Sequence, residues 1–302
     1  MVTILDGGMG QELVARSTGP LTPLWGAQVM LDAPHLVREI HDDYFAAGAE
    51  VATTNTYTLR RDRLNPYGLK DRFFELHELA CRMACEARDA HGAGLVAGAA
   101  GPLTQSYIGD DGPPRAEAAA LFDETARAQA PFVDLFIAET VPSLARAEAT
   151  LDGLLGHGKP VWMAVSVADT DGRTLRSGEP VEAALDLAVR RGVDAFLVNC
   201  SWPEAGTQAL ECVAGASLPL GAYANGFTQI PDAFRKTTAT VDILETRTDL
   251  TPKVYSDFAD QWVALGATIV GGCCEVGPEH IAALAKRLKD GTSAVDSSAT
   301  RA

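Results

Sequence analysis

The feature that most constrains the fold of this chain is the alternation of short apolar runs with longer amphipathic segments along its 302 residues. The runs are rich in Val, Ile, Leu, Phe and Ala and lack strict polar alternation, which is typical of parallel strands covered on both faces. The eight runs span residues 2–6, 50–55, 95–99, 135–139, 161–167, 195–199, 218–224 and 267–271.

The segments between the runs have apolar residues at helical spacing, and several carry a proline in or just before the first turn, where its missing N–H costs nothing. We expect Gly48, Gly192 and Gly266 to end helices just before a strand. Eight such units predict a single (β/α)₈ TIM barrel, a fold that typically takes ~250 residues. A doubly wound sheet is the main rival, but it usually has fewer strands or a second domain. The helical segments are residues 33–47, 69–90, 114–130, 142–155, 180–191, 203–214, 251–265 and 278–288.

Composition and the chain ends set the domain limits and exclude some partners. We predict one barrel over residues 1–289 and a small, polar, disordered tail over residues 290–302. The net charge of −15 argues against nucleic acid and anionic membrane surfaces. No apolar run reaches the ~20 residues of a membrane span, and the first residues do not resemble a secretory signal. We therefore expect a cytoplasmic monomer or homodimer that acts on small molecules.

Three of the six cysteines fall at predicted strand ends, where a TIM barrel has its active site: Cys200, Cys273 and Cys274. Neighbouring residues of a regular strand face opposite sides, so we expect Gly271 and Gly272 to allow an unusual backbone that turns both sulfurs inward. Thiolates on a tetrahedral zinc lie within ~4 Å of each other, and three protein ligands leave one position open for substrate. The alternative is that these are small buried packing residues, which is our interpretation of Cys81, Cys85 and Cys212.

Other polar residues recur at the same predicted strand ends. Asp6 and Glu139 can hold an amino group, the backbone at Gly7 can donate N–H groups to a carboxylate, and the Thr54 hydroxyl can contact substrate. Asn225 can fill an open metal position when substrate is absent. Each of these residues has a structural alternative as a cap, a rim ion pair or ordinary strand material.

Several motifs at these positions resemble the homocysteine S-methyltransferase family, with matching spacing over about residues 3–288. They are the residues from Asp6 to Leu13, 48–57, 139–143, Val198-Asn199-Cys200, and Gly271-Gly272-Cys273-Cys274 followed by Pro278-Glu279-His280-Ile281. The resemblance implies a zinc-dependent barrel that methylates homocysteine to methionine. It implies that Cys200, Cys273 and Cys274 bind Zn²⁺, and that Asp6, Gly7, Thr54 and Glu139 hold the amino and carboxylate groups of homocysteine.

The methyl donor is less constrained. Residues 24–45 look most like members that use S-methylmethionine, so a sulfonium donor (S-methylmethionine or S-adenosylmethionine) is expected, met by the aromatic residues Trp25, Tyr107, Trp202 and Phe227. The chain departs from the family pattern at residues 99–105, 201–202 and 275–277. A betaine or thetin donor, a non-catalytic homocysteine- or zinc-binding protein, and a phosphate-binding barrel with a Gly271-Gly272 loop are the alternatives.

Overall fold

The structure is a computed structural model that describes residues 2–103, 105–109, 112–235 and 239–296. Its main sheet has eight parallel strands in the order β1-β10-β9-β8-β5-β4-β3-β2. A parallel bridge between Leu5 and Val51 joins the first and last strands of this order, so the sheet curls into a barrel and confirms the predicted fold. The barrel strands are β1 (Thr3–Ile4), β2 (Val51–Thr53), β3 (Leu95–Ala100), β4 (Leu135–Val141), β5 (Val161–Val165), β8 (Ala195–Asn199), β9 (Leu220–Ala224) and β10 (Ala267–Gly272).

Helices follow the strands at the predicted places, and three unpredicted helices lie in the segments after β1 and β2. Gly192 ends one helix with a left-handed backbone, and Gly48 and Gly266 have positive φ angles just beyond two others. The helices are α1 (Met9–Arg16), α2 (Gly26–Asp32), α3 (Pro34–Ala46), α4 (Arg61–Leu64), α5 (Phe73–His91), α6 (Arg115–Gln129), α7 (Leu144–Leu154), α8 (Val181–Arg191), α9 (Pro203–Val213), α10 (Pro252–Ala264) and α11 (Pro278–Asp296). The unpredicted ones are α1, α2 and α4.

Two differences from the sequence-based prediction concern chain ends and a hairpin. The barrel strand β5 ends at Val165, short of the predicted residue 167, and β6 (Val167–Ala168) and β7 (Asp171–Leu175) form an antiparallel hairpin after it. The last helix, α11, continues through Asp296, past the boundary expected after residue 289. Gly291 lies inside α11, and a glycine inside a helix lowers its stability by only about 1 kcal/mol, which packing of the helix against the barrel can offset. Residues 297–302 of the predicted tail lie outside the described residues.

The core has two layers. Large aliphatic and aromatic side chains fill the space between strands and helices, and a smaller cluster fills the barrel interior. In the part of the chain that the structure describes, no helix has the length and apolarity needed to cross a bilayer. The interior cluster consists of Leu5, Val51, Ala97, Leu135, Ile137, Ala164, Ala195, Leu197, Tyr223 and Ile269.

Candidate active site

A cavity opens at the carboxyl ends of the barrel strands. The strand ends contribute carboxylates and thiols, and the loops after the strands contribute aromatic, polar and aliphatic side chains. The predicted site residues Asp6, Gly7, Thr54, Glu139, Cys200, Cys273 and Cys274 all line this cavity. The structure thus brings together all of the predicted residues except Asn225.

The three predicted cysteines form one cluster. The sulfur atoms of Cys200, Cys273 and Cys274 lie within 4.8 Å of one another, and 3.2 Å separates the Sγ atoms of Cys200 and Cys273. All three are free thiols; Cys200 and Cys274 are buried, and Cys273 is partly exposed to the cavity. Sulfurs this close can converge on a tetrahedral ion, whose ligands are ~4 Å apart.

The turn after β10, and not the glycine pair, brings both adjacent sulfurs to the cavity. The Cys273 N–H extends the ladder to the Ala224 carbonyl at 2.9 Å, and the Val276 N–H donates to the Cys273 carbonyl at 3.1 Å, closing a turn. Glu275 within this turn has a φ of 65°, so it supplies the left-handed residue.

Gly271 and Gly272 therefore do not have the role expected from the sequence. Both lie in β10, and neither has a positive φ. They are needed for space: a Cβ would stand 2.4 Å from the Leu5 Cβ at Gly271 and 2.1 Å from Val276 Cγ1 at Gly272. The Gly272 N–H donates to the Asp6 carbonyl at 2.9 Å, so it is not free to bind a phosphate.

Backbone strain is concentrated around the cavity. Five non-glycine residues of the described chain have positive φ: Trp25, Tyr107, Thr140, Cys200 and Glu275. Four of them line the cavity, and the fifth follows Cys274. Each such residue costs ~1–3 kcal/mol, a cost that proteins typically carry at functional sites.

The Arg176 guanidinium stacks on the Tyr107 ring, and both residues contact Cys200. The Tyr107 hydroxyl lies 3.2 Å from the Cys200 sulfur, and the Arg176 guanidinium stands 4.7 Å from the centre of the Tyr107 ring. Arg176 also donates to the Cys200 carbonyl at 3.1 Å and pairs with Asp169 at 3.1 Å. Hydrogen bonds from the other two thiols and from Tyr107 hold the pKa of Cys200 well below its usual range.

Two acids face the cavity: Asp6 is buried, and Glu139 is partly buried. Asp6 accepts hydrogen bonds from the Thr53 N–H at 2.6 Å and the Thr53 hydroxyl at 2.9 Å, while burial raises its pKa to about 7. Glu139 accepts from the Tyr223 hydroxyl at 3.1 Å, and burial raises its pKa to about 8. No Lys, Arg or His of the described ranges forms an ion pair with either acid, so an ammonium group of a ligand would supply the missing cation.

The remaining predicted residues take different positions. At Gly7 a Cβ would stand 2.0 Å from the Val276 carbonyl oxygen, so only glycine fits at this position. Thr54 lines the cavity, but its hydroxyl accepts the Ala99 N–H at 3.1 Å and contacts the Thr56 hydroxyl at 2.8 Å inside the barrel wall. The buried Asn225 is 3.5 Å from the Tyr107 hydroxyl and approaches the cysteines through that residue.

Several site residues were not identified from the sequence. Thr53 and Tyr223 hold the two acids, and their position at strand ends was the available signal. Asn199, the residue before Cys200, forms two hydrogen bonds with Thr140, the residue after Glu139. Arg176 follows the unpredicted hairpin, so no sequence signal placed it at the site.

Aromatic rings form much of the loop side of the cavity. Trp25 and Tyr57 meet edge to face with 6.2 Å between their centroids, and Tyr107, Phe227 and Phe234 line the same cavity. The Trp25 indole donates to the Gln11 side chain at 3.0 Å, which holds the ring in place. Trp202, also expected at the donor side, does not line the cavity; its indole donates to the Thr228 carbonyl at 3.1 Å.

Fold and site together define a (β/α)₈-barrel enzyme with a three-cysteine centre beside the acids Asp6 and Glu139. The family model described as homocysteine S-methyltransferase matches residues 3–288, and the chain belongs to that family; it is a methyltransferase. This confirms the resemblance found in the sequence.

Relatives in two bacteria and one solved structure agree with this family. The homocysteine S-methyltransferase of Escherichia coli is 31% identical over 305 residues, covering 95% of both chains. The homocysteine S-methyltransferase YbgG of Bacillus subtilis is 29% identical over 311 residues, with the same coverage of both chains. The crystal structure of the metallated homocysteine methyltransferase MmuM from E. coli superposes with a TM-score of 0.80 at 29% identity, covering 95% of this chain and 96% of that one.

Proposed function

We propose that this protein transfers a methyl group from a sulfonium donor to the thiolate of homocysteine, giving methionine, and that Cys200, Cys273 and Cys274 hold a zinc ion for this reaction. The observation that carries the proposal is the placement of the three-sulfur cluster in one cavity with the unpaired acids Asp6 and Glu139. An amino-acid thiol needs both: a soft centre for its sulfur and anions for its ammonium group.

The donor set fits zinc. Three cysteine sulfurs favour a soft or borderline metal over magnesium or calcium, and three protein ligands leave one position for substrate. The related E. coli structure is described as a metallated form. When bound, zinc would lower the pKa of a coordinated thiol and keep it as a thiolate at neutral pH.

The protein's own residues would orient homocysteine. Asp6 and Glu139 would accept hydrogen bonds from its ammonium group. The backbone at Gly7, which lines the cavity, would lie against its carboxylate. Thr54, whose hydroxyl is engaged in the barrel wall, would keep its neighbour Thr53 on Asp6. Fixing the amino-acid end in this way directs the sulfur to the cysteine cluster, which is an effect of orientation.

The methyl donor would occupy the aromatic side of the cavity. Aromatic faces attract cations, which supports a sulfonium donor. The homocysteine sulfur would use a lone pair to form the new S–CH₃ bond. The C–S bond of the donor would break with its electron pair passing to the donor sulfur, which leaves as a neutral thioether, so no further cofactor is required.

A methyl-transfer assay tests this proposal. Metal-loaded protein is incubated with homocysteine and, separately, S-methylmethionine, S-adenosylmethionine, betaine or dimethyl thetin, and methionine is quantified. We expect methionine from a sulfonium donor and none from the Cys273→Ala variant. Absence of methionine with every donor would contradict the enzymatic proposal and leave a binding protein, and turnover with betaine alone would contradict the donor class.

A further inference from the structure

Arg63, in α4, lines the cavity, and among the described residues it forms no ion pair with a carboxylate. Its guanidinium donates to the Pro23 carbonyl at 3.1 Å and to the Gln105 side-chain oxygen. Both acceptors are neutral, and they belong to the loops after β1 and β3. Arg63 is therefore fixed between three loops of the barrel mouth by contacts that carry no negative charge.

The neighbouring arginines are different. Arg60 pairs with Asp62 and Arg61 with Glu124, each at 2.6 Å, whereas Arg63 has no ion pair within the described part of the chain. Burial, together with the nearby charge of Arg60, lowers the pKa of Arg63 to about 10, which leaves it charged at neutral pH. A partly buried guanidinium with only neutral acceptors favours the binding of an anion.

The place of Arg63 indicates which substrate would supply this anion. The strand ends hold the cysteines and the two acids, which suit the thiol and ammonium groups of homocysteine. Arg63 lies on the loop side with Trp25 and Tyr107, where the donor would bind. A donor with a sulfonium among the rings and a carboxylate at the guanidinium would match both features.

We propose that Arg63 binds the carboxylate of the methyl donor, so that this site selects a sulfonium that also carries a carboxylate. The inference rests on the proposed function for the identity of the reaction. Pro23 and Gln105 hold the guanidinium in place, and a planar guanidinium can bind a carboxylate through two parallel hydrogen bonds.

Two ligands that differ only in the carboxylate test the inference. Binding of S-methylmethionine and of its decarboxylated analogue, (3-aminopropyl)dimethylsulfonium, is measured by calorimetry on the metal-loaded protein without homocysteine. We expect the wild type to bind S-methylmethionine at least about tenfold more tightly, since charge-assisted hydrogen bonds are each worth ~1.5–3 kcal/mol. Arg63→Gln should abolish this preference, and Arg61→Gln, which alters an ion pair outside the cavity, should keep it.

The outcomes separate this inference from the proposed function. Equal affinity of the wild type for the two ligands, or no binding of either, would overturn the role of Arg63, and this comparison needs no variant to fold. An Arg63→Gln variant that raises the KM for homocysteine but not for the donor would also overturn it. Preserved discrimination in a protein that forms no methionine would contradict the proposed reaction and leave the carboxylate site standing.

Discussion

Asn199 holds Thr140 at two points: its side-chain oxygen accepts the Thr140 N–H at 3.0 Å, and its amide group donates to the Thr140 hydroxyl at 3.1 Å. These bonds join the end of β8 to the strand end of β4. They link the residue after Glu139 to the residue before Cys200, and thus the acid side of the cavity to its thiol side. Thr140 has a φ of 55°, so the pair also maintains a strained backbone.

We expect Asn199→Ala to destabilise the protein by about 1–3 kcal/mol, because it leaves the buried Thr140 N–H without a partner. Thr140→Ala, which loses only the hydroxyl bond, should cost less. Urea unfolding of both single variants and the double variant gives their coupling, which we expect to exceed about 0.5 kcal/mol. Additive effects would show that the two strand ends are not coupled through this pair.

Methionine binding should strengthen as the pH rises from about 6 to about 8.5, because Asp6 and Glu139, with pKa values raised to about 7 and about 8, must ionise to hold an ammonium group. Methionine is the appropriate probe since its sulfur does not titrate. Calorimetry at several pH values should show this rise in the wild type. Glu139→Gln should bind more weakly and lose the upper part of the rise; an unchanged profile in this variant would contradict the assignment.

The same acid makes the ligand-free protein less stable at high pH. The pKa of Glu139 in the folded state, about 8, lies above its ordinary value of 4.5, so between these pH values the folded chain holds a proton that the unfolded chain has lost. The free energy of unfolding should therefore fall as the pH rises through this window and level off above it. Urea unfolding of Glu139→Gln should show a smaller fall in the free energy of unfolding over this pH window. The same dependence on pH in both proteins would contradict the raised pKa of Glu139.

Arg176→Ala should cost about 3–5 kcal/mol of stability, because it leaves Asp169 as an unpaired charge in a pair whose side chains are only 10% and 12% exposed. The matched control is Arg173→Ala in β7, whose pair with Asp171 spans 3.9 Å at 64% and 52% exposure and should contribute about 0–1 kcal/mol. Denaturant unfolding compares the two. Equal losses would show that the Arg176–Asp169 pair contributes no more stability than an exposed ion pair.

Trp25→Leu should raise the KM for a sulfonium donor about tenfold while leaving the KM for homocysteine unchanged, because a desolvated cation–π contact is worth up to ~2 kcal/mol. Trp202→Leu is the matched control, since Trp202 does not line the cavity. Steady-state kinetics with each substrate varied in turn gives both constants. A larger donor effect at Trp202 than at Trp25 would place the donor elsewhere.

The barrel and the cysteine cluster were predictable because each depends on a regular pattern. Alternation of apolar runs and helical segments sets the barrel, and parallel strands bring their carboxyl ends to one face, so Cys200 and the Cys273-Cys274 pair had to approach each other. Irregular backbone was not predictable. We expected Gly271 and Gly272 to bring both sulfurs to the cavity, but the turn at Glu275 does this, because the left-handed residue lies after the strand. The two glycines instead allow close packing.

Side-chain direction was the other limit. Thr53 ends β2 and Thr54 follows it, and only the structure shows that Thr53 holds Asp6 while the Thr54 hydroxyl accepts a hydrogen bond from Ala99 in the barrel wall. Arg176 reaches Cys200 from a hairpin inserted after β5, and Arg63 reaches the cavity from a short helix. Contacts between loops of this kind leave no periodic signal in a sequence.

The most direct test of the central claim is X-ray absorption at the zinc edge of the metal-loaded protein, recorded without and with homocysteine. We predict three sulfur ligands at ~2.3 Å in the free protein and four with homocysteine. We also expect loss of stoichiometric zinc in the Cys273→Ala, Cys274→Ala double variant, with Cys81→Ala and Cys212→Ala as controls that keep it. Stoichiometric zinc in the double variant, or a sulfur count that homocysteine leaves unchanged, would contradict a zinc site that binds the homocysteine sulfur.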